Sequence, residues 1–471
     1  MPSPRKICLI LLTLLAAVLA AIAFHWIHLT ALLGSGYMAE TLCSGLIVSA
    51  RDRESIFAEE LSGPGYELLG LFQADIDDQG KQVTASAYGL WPRTAVYRDG
   101  LGCTLAIGRT VSELRAEAAN LFTPTEPLDQ NALWPEGEGV ELENLPNDFD
   151  NDALKAAIDA IFTESDPAHP RQTRALVVVH KGRIVGERYA PGFDRTTPLL
   201  GWSMSKAATN ALVALRVMDG AVATSDAKLL PEWRGEGDAR AAITLDQLLR
   251  MTSGLGFEEG YGSNTSDVAQ MLFAKGDAAG FAAAKSLVAA PGTLWHYASG
   301  SSNIIALILR HSFADERSYL RFPHDRLFAP LGMRSAVLVP DASGTFISSS
   351  LMYASARDWA RLALLFAQGG VWQGKQLLPL DWVTYSLTPT PEAPAKDYAA
   401  HFWLKLPESR ELSLAEDAYY MLGFDQQVAA IIPSRDLIIV RLGLTRRGGA
   451  WDHARDLAPI VRAFPPTPPQ P

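Results

Sequence analysis

Residues 7–24 are apolar without a break except at Thr13, and this run restricts the chain more than any other feature. A backbone in lipid must satisfy its own hydrogen bonds, so a single spanning segment has to be a helix. At 1.5 Å per residue the run reaches roughly 27 Å, close to the thickness of a bilayer core. Its place at the extreme N-terminus argues against a helix buried in a soluble core. Arg5 and Lys6 precede it, so the rest of the chain is expected outside the cytoplasm. Ala21 and Ala23 offer a signal-peptidase-like site, while Trp26, Ile27, Leu29 and Leu32 extend the segment as in an uncleaved anchor. The expectation is an inner-membrane anchor over residues 1–33 with a periplasmic remainder, or a secreted chain if the segment is removed.

An exported chain can form disulfides. Cys8 lies in the apolar run, which leaves Cys43 and Cys103 as the expected pair. With 471 residues, 48% hydrophobic and 20% charged, the chain can bury a large core in two or three parts. A net charge of −11, with no long basic run, gives no sign of nucleic-acid binding. No His-Glu-x-x-His or Cys/His spacing points to a metal, and no cofactor is implied.

Beyond the anchor, residues 34–125 alternate short apolar runs with turn signals. Strands are expected over 68–74, 83–88 and 94–97 in a small β-rich extension. Residues 126–149, rich in Pro, Asn and acids, read as a linker wrapping onto a main domain over 150–464. A Pro-rich tail, 465–471, follows. The main domain opens with a helix (150–163) and a hairpin, residues 175–180 and 183–189 around Lys181-Gly182. Several helical stretches occupy the middle. Strands over 427–432 and 437–444 and a last helix over 451–464 close it. Strands first, helices between, strands and a helix last make an α+β plan, an antiparallel sheet flanked by helices with an all-helical insertion.

Within this plan lies Ser203-Met204-Ser205-Lys206 at the start of a helix. Residues three apart share a helix face, so Ser203 and Lys206 point the same way. A serine hydroxyl needs a base beside it to act as a nucleophile. A lysine whose pKa is lowered by burial can be that base. Alone, the pattern reads more simply as a helix start with Ser203 as cap and Lys206 as a solvated side chain. It is followed, however, by Leu248-Leu249-Arg250-Met251-Thr252-Ser253-Gly254-Leu255, then Pro291-Gly292 with Trp295-His296-Tyr297, then Gly423-Phe424-Asp425-Gln426-Gln427 before the closing strand pair. In this order the blocks resemble the penicillin-recognising serine hydrolases, the class C β-lactamase-like family. The likeness is greatest to 6-aminohexanoate-dimer hydrolase-like enzymes and spans roughly residues 150–464.

The resemblance implies a β-lactamase/transpeptidase-like fold. It also implies an acyl-enzyme on Ser203, Lys206 as base, Tyr297 as proton relay, and an oxyanion hole of backbone N–H groups from Ser203 and the strand near Gln427. The substrate would be a small amide or ester. Ser299 stands where β-lactamases and D-alanyl-D-alanine peptidases usually carry Asn, and no Lys/His-Thr/Ser-Gly triplet occurs. The chain therefore departs from the pattern that grips β-lactam carboxylates. Tyr261 and Asp267 are further candidates for the substrate cleft, and His296 for a loop residue. Two other readings stand beside this one. The first is an α/β-hydrolase triad of Ser203, Asp425 and His453. The second is a non-catalytic ligand-sensing protein on the same fold.

Overall fold

The computed structural model describes residues 3–466 apart from 124–125, 144, 262–265, 408–412 and 447. Most of the expected tail lies outside the described residues.

The apolar run forms helix α1 (Pro4–Cys43), which is unbroken. Pro is accommodated in the first turn because those N–H groups have no helical partner. Residues 5–27 are exposed, and the helix is long and apolar enough to cross a membrane. From His28 onward it is covered by protein, with Ala31, Leu33, Met38, Ala39 and Leu42 buried. Residue 33 is therefore no break in the backbone. The helix continues to Cys43 because its second half packs its apolar side chains on a sheet.

That sheet is a four-stranded antiparallel meander: β1 (Phe72–Asp77), β2 (Gln82–Ala87), β3 (Leu90–Arg98) and β4 (Gly102–Leu105). The strand expected over 68–74 starts later, at Phe72, because Glu67–Leu71 closes into a 3₁₀ turn. Cys43, the last residue of α1, is disulfide-bonded to Cys103 in β4. The first part of the expected linker is strapped down around residues 134–137. Trp134 is buried, and Arg361 donates to the carbonyls of Pro135 and Gly137 at 3.1 and 2.8 Å.

The main sheet has five antiparallel strands. Its first hairpin is β5 (Thr173–His180) and β6 (Arg183–Tyr189), and its last strands are β7 (Tyr419–Gly423), β8 (Gln427–Ile432) and β9 (Leu437–Gly443), in the order β7-β8-β9-β5-β6. Alternate residues face two separate cores, as the pleat requires. Leu176, Val178, Val428, Ala430 and Ile439 meet one core, and Val177, Val179, Ala429, Ile431 and Val440 the other. Helices α2 (Asn151–Ile161) and the C-terminal helix cover the first face. The second face carries the helical region: α3 (Ser205–Met218), α4 (Leu245–Leu249), α5 (Asp267–Phe273), α6 (Ser299–His311) and α7 (Ala356–Ala367), with α8 (His453–Ala463) closing the chain behind. The antiparallel sheet excludes the doubly wound parallel sheet that the α/β-hydrolase alternative needs.

Candidate active site

Ser203 lies in a 3₁₀ turn (Trp202–Met204) that feeds directly into α3. Trp202, just before it, has φ of 49°, a left-handed conformation that bulky residues seldom adopt. Gly201 fixes this turn from below, since its N–H donates to the Met352 carbonyl at 3.0 Å. The end of β7 closes against it. A side chain at Gly423 would meet the Gly201 carbonyl at 2.1 Å, so glycine is what lets the strand approach the Ser203 turn.

One turn on, Lys206 is 1% exposed. Its Nζ donates to Ser203 Oγ at 2.9 Å, to Ser299 Oγ at 3.2 Å and to the Ser349 carbonyl at 3.1 Å. It also stands 4.9 Å from the centre of the Tyr297 ring. Burial pushes its pKa down to about 8, with the nearby Glu259 carboxylate opposing. Relative to its ordinary 10.5, that raises the unprotonated fraction at neutral pH about 300-fold. The partners are themselves held in place. The Asn303 carboxamide oxygen accepts the Ser349 N–H at 3.0 Å, and His401 Nδ1 meets the Lys206 carbonyl at 3.0 Å. Burial holds His401 down to about 3, so this imidazole is neutral.

Tyr297 sits in the loop before α6. Its ring stacks on Trp403 at 5.5 Å and meets Tyr398 edge-on at 5.7 Å. Burial, then the charge of Glu259, push its phenol well above the usual tyrosine range, with the Ser203 hydroxyl acting the other way. The group is therefore a neutral phenol, a proton donor rather than a standing base. His296, its neighbour, is a loop fastener: its N–H donates to the Met251 carbonyl at 2.8 Å and its Nε2 meets the Phe257 carbonyl at 2.6 Å.

Glu259 was not singled out from the sequence. Its carboxylate accepts the Ser299 N–H at 2.7 Å and the Ser299 hydroxyl at 2.6 Å, at the N-terminus of α6 where the helix dipole favours an anion. Because the Ser299 hydroxyl donates to Glu259, its oxygen lone pairs are free to accept from Lys206. Burial raises its pKa, opposed by Lys206 and Ser299. An acidic pair, Glu258-Glu259, in a loop gave no periodicity to read. Asp267 acts on this loop from outside. It accepts the Glu258 N–H at 3.0 Å and pairs with Lys285, and so steadies the Glu259 loop.

Tyr261 joins an aromatic wall beside the serine. Its ring stacks on Phe424 at 4.4 Å, and Trp202 meets Phe424 edge-on at 5.4 Å. Gln427 turns inward. Its Nε2 donates to the carbonyls of Phe424, Asp425 and Gly443 at 3.2, 3.1 and 2.6 Å, and its Oε1 accepts the Gly443 N–H at 2.8 Å. The Gln427 side chain thus staples the turn between β7 and β8, where Asp425 and Gln426 are left-handed, with φ of 55° and 64°. Asp425 is buried, and burial pushes its carboxyl up to about 6. His453 is placed elsewhere, on α8, where its Nδ1 accepts the Trp451 indole N–H at 2.8 Å. Burial holds it down to about 3. The Ser203/Asp425/His453 triad is therefore not the arrangement around this serine, whose neighbouring base is Lys206. A cavity of about 60 Å³, lined by Tyr37, Glu40, Trp202, Tyr353, Asp425 and Gln427, lies behind the turn. Among the described residues no group of three His, Cys, Asp or Glu side chains could hold a metal ion.

Residues 158–461 match the family model described as Beta-lactamase. No curated protein matches the chain by sequence. Among solved structures, a Bacillus anthracis protein named as a 6-aminohexanoate-dimer hydrolase is 23% identical, with a TM-score of 0.50 over 65% of this chain and 81% of its own. A β-lactamase-like protein from Bacteroides dorei is 17% identical, with a TM-score of 0.53 over 66% of this chain and 99% of its own. EstCE1, described as a hydrolase with promiscuous acyltransferase activity, is 13% identical, with a TM-score of 0.53 over 66% of this chain and 98% of its own. At these identities the likeness is one of fold.

Proposed function

The chain belongs to the beta-lactamase family, and from that premise we propose that it is a serine hydrolase forming an acyl-enzyme on Ser203. The observation that carries the reading is the buried Lys206 amine, 2.9 Å from Ser203 Oγ and with its pKa brought down to about 8. In the unprotonated form Lys206 takes the Ser203 proton as Oγ bonds to the substrate carbonyl carbon. The oxyanion that forms is held by backbone N–H groups, from Ser203 and from the strand end beside it near Gln427. As the ester or amide bond breaks, the Tyr297 hydroxyl gives its proton to the departing oxygen or nitrogen. The Lys206 ammonium then restores it. Water attacks the acyl-enzyme by the reverse route and frees Ser203.

The substrate class is a small linear ester or amide. β7 carries no lysine or arginine to receive a carboxylate, and the wall of Trp202, Tyr261 and Phe424 favours an apolar acyl portion. The chain acts outside the cytoplasm, anchored through α1.

The test is intact mass of the detergent-solubilised full chain after a fluorophosphonate, beside the Ser203→Ala variant. The expected result is one adduct on the natural chain and none on the variant, with ester turnover lost and the circular dichroism spectrum unchanged. An adduct surviving in the variant would refute the choice of serine. No adduct on folded natural chain would refute the hydrolase and favour a ligand-sensing protein.

A further inference from the structure

We propose that the small N-terminal sheet is a second membrane contact, an apolar foot that seats the catalytic region on the lipid surface. The inference rests on reading α1 as a membrane anchor and adds a surface which that reading does not contain.

Helix α1 is exposed through Ile27 and covered from His28. From Ile7 to Ile27 it rises about 31 Å, the thickness of a hydrocarbon core. The edge of the membrane therefore falls near His28. The sheet meets the helix at this level, where the Trp91 ring stands edge-on to the His28 ring at 5.9 Å.

The sheet is polarised. Strand pairing puts Phe72 opposite Ala87 at one end of the β1–β2 pair and Asp77 opposite Gln82 at the other. The far end carries Asp77 at the end of β1, Asp78 and Lys81 in the β1–β2 turn, and Asp99 after β3. The near end carries Leu71, Tyr88, Leu90 and Leu68, the first and last of them on the 3₁₀ turn that precedes β1. These four side chains are 44%, 69%, 57% and 56% exposed. Residues 82–92 contain no charge, and Glu67 and Arg93 flank the patch. Large apolar side chains left in water together call for a partner. Here the patch continues the apolar surface of the helix at the depth where aromatic residues collect in membrane proteins. A lipid surface fits this position, because any other occupant would have to sit between the foot and the bilayer from which α1 emerges.

The consequence is positional. Tyr37 and Glu40 of α1 line the same cavity as Trp202, next to the nucleophile. Ten residues of continuous helix separate Ile27 from Tyr37, a rise of about 15 Å. With helix and foot both engaged, the Ser203 turn is held at a fixed height close to the membrane rather than swinging on a tether.

The test is spin-label depth in the full chain, reconstituted into phosphatidylethanolamine/phosphatidylglycerol vesicles. Native Cys8 reports on the helix. Leu71→Cys and Leu90→Cys, each with Cys8→Ser, report on the foot. Leu380→Cys in the same background, at an exposed leucine remote from the patch in sequence, gives the aqueous baseline. Power saturation with oxygen and a nickel chelate is expected to give a several-fold higher oxygen-to-nickel ratio at 71 and 90 than at 380. Baseline values at 71 and 90 beside a lipid value at Cys8 would overturn the foot and leave the anchor standing. A baseline value at Cys8 would overturn the anchor and the foot with it.

Discussion

Lys206 is the residue on which the chemistry and the stability pull in opposite directions. A buried ammonium is unfavourable, and its folded pKa of about 8 lies below its ordinary value of 10.5. The unfolded chain therefore holds a proton that the folded chain has lost between these values, and stability rises with pH across that window. Below pH 8 the full penalty remains. Lys206→Met should abolish acylation yet raise stability at pH 7 by about 1–3 kcal/mol, part of the gain being lost with the three hydrogen bonds. Urea unfolding of the variant measures it, and a destabilised variant would contradict the argument. The same pKa sets the rate. Fluorophosphonate labelling should climb as pH rises through about 8. Glu259 opposes the loss of that proton, so Glu259→Gln should move the rising limb to lower pH. A limb that stays in place would mean that the carboxylate carries no charge beside the lysine.

Among the elements, the turn between β7 and β8 departs from what its sequence favours. Asp425 and Gln426 hold left-handed angles, which are unfavourable by about 1 kcal/mol each for residues with a Cβ. The Gln427 carboxamide, together with Arg441, which donates to the Gln426 carbonyl at 2.9 Å, holds the turn in that shape. Gln426→Gly should therefore raise stability by about 0.5–1 kcal/mol, whereas Gln427→Leu should lower it and loosen the edge beside Ser203. Thermal unfolding and labelling rate would separate the two effects. The Cys43–Cys103 bond closes a span of 60 residues between α1 and β4. In the loop-entropy model this stabilises the folded chain by about 4 kcal/mol. Cys43→Ser with Cys103→Ser should reduce the stability of the N-terminal sheet by an amount of that order while Ser203 still labels.

For the whole molecule, α1 joins what would otherwise be separate parts. It leaves the apolar segment without a hinge, lies on the small sheet, and reaches the helical region. A side chain at Gly36 would strike the Phe273 carbonyl of α5 at 2.1 Å, so glycine allows that close approach. The full chain, expressed with its N-terminus intact, should stay with membranes through an alkaline carbonate wash and come off only in detergent. Mass spectrometry of the extracted chain should still find residues 7–24. A soluble chain beginning after Ala23 would show instead that the segment is a removed signal.

The sequence alone determined whatever is periodic or compositional. The run at 7–24 had to be a helix, the hairpin around Lys181-Gly182 followed from apolar strands about a tight turn, and the spacing of three put Ser203 and Lys206 on one side of a helix start. The spacing of Tyr297 and Ser299 became meaningful through the order of the blocks around it. Only the tertiary structure decided the rest. Glu259 and Asn303 act on Lys206 through Ser299 and Ser349, residues brought together by packing from distant segments and marked by no local pattern. Gln427 turns inward because the folded β7–β8 turn brings the Phe424 and Asp425 carbonyls and the backbone of Gly443 within reach of its carboxamide. The lysine pKa is a property of the buried space around it. Local sequence encodes short-range conformation, whereas desolvation and hydrogen-bond partnership arise only when remote segments close on one another.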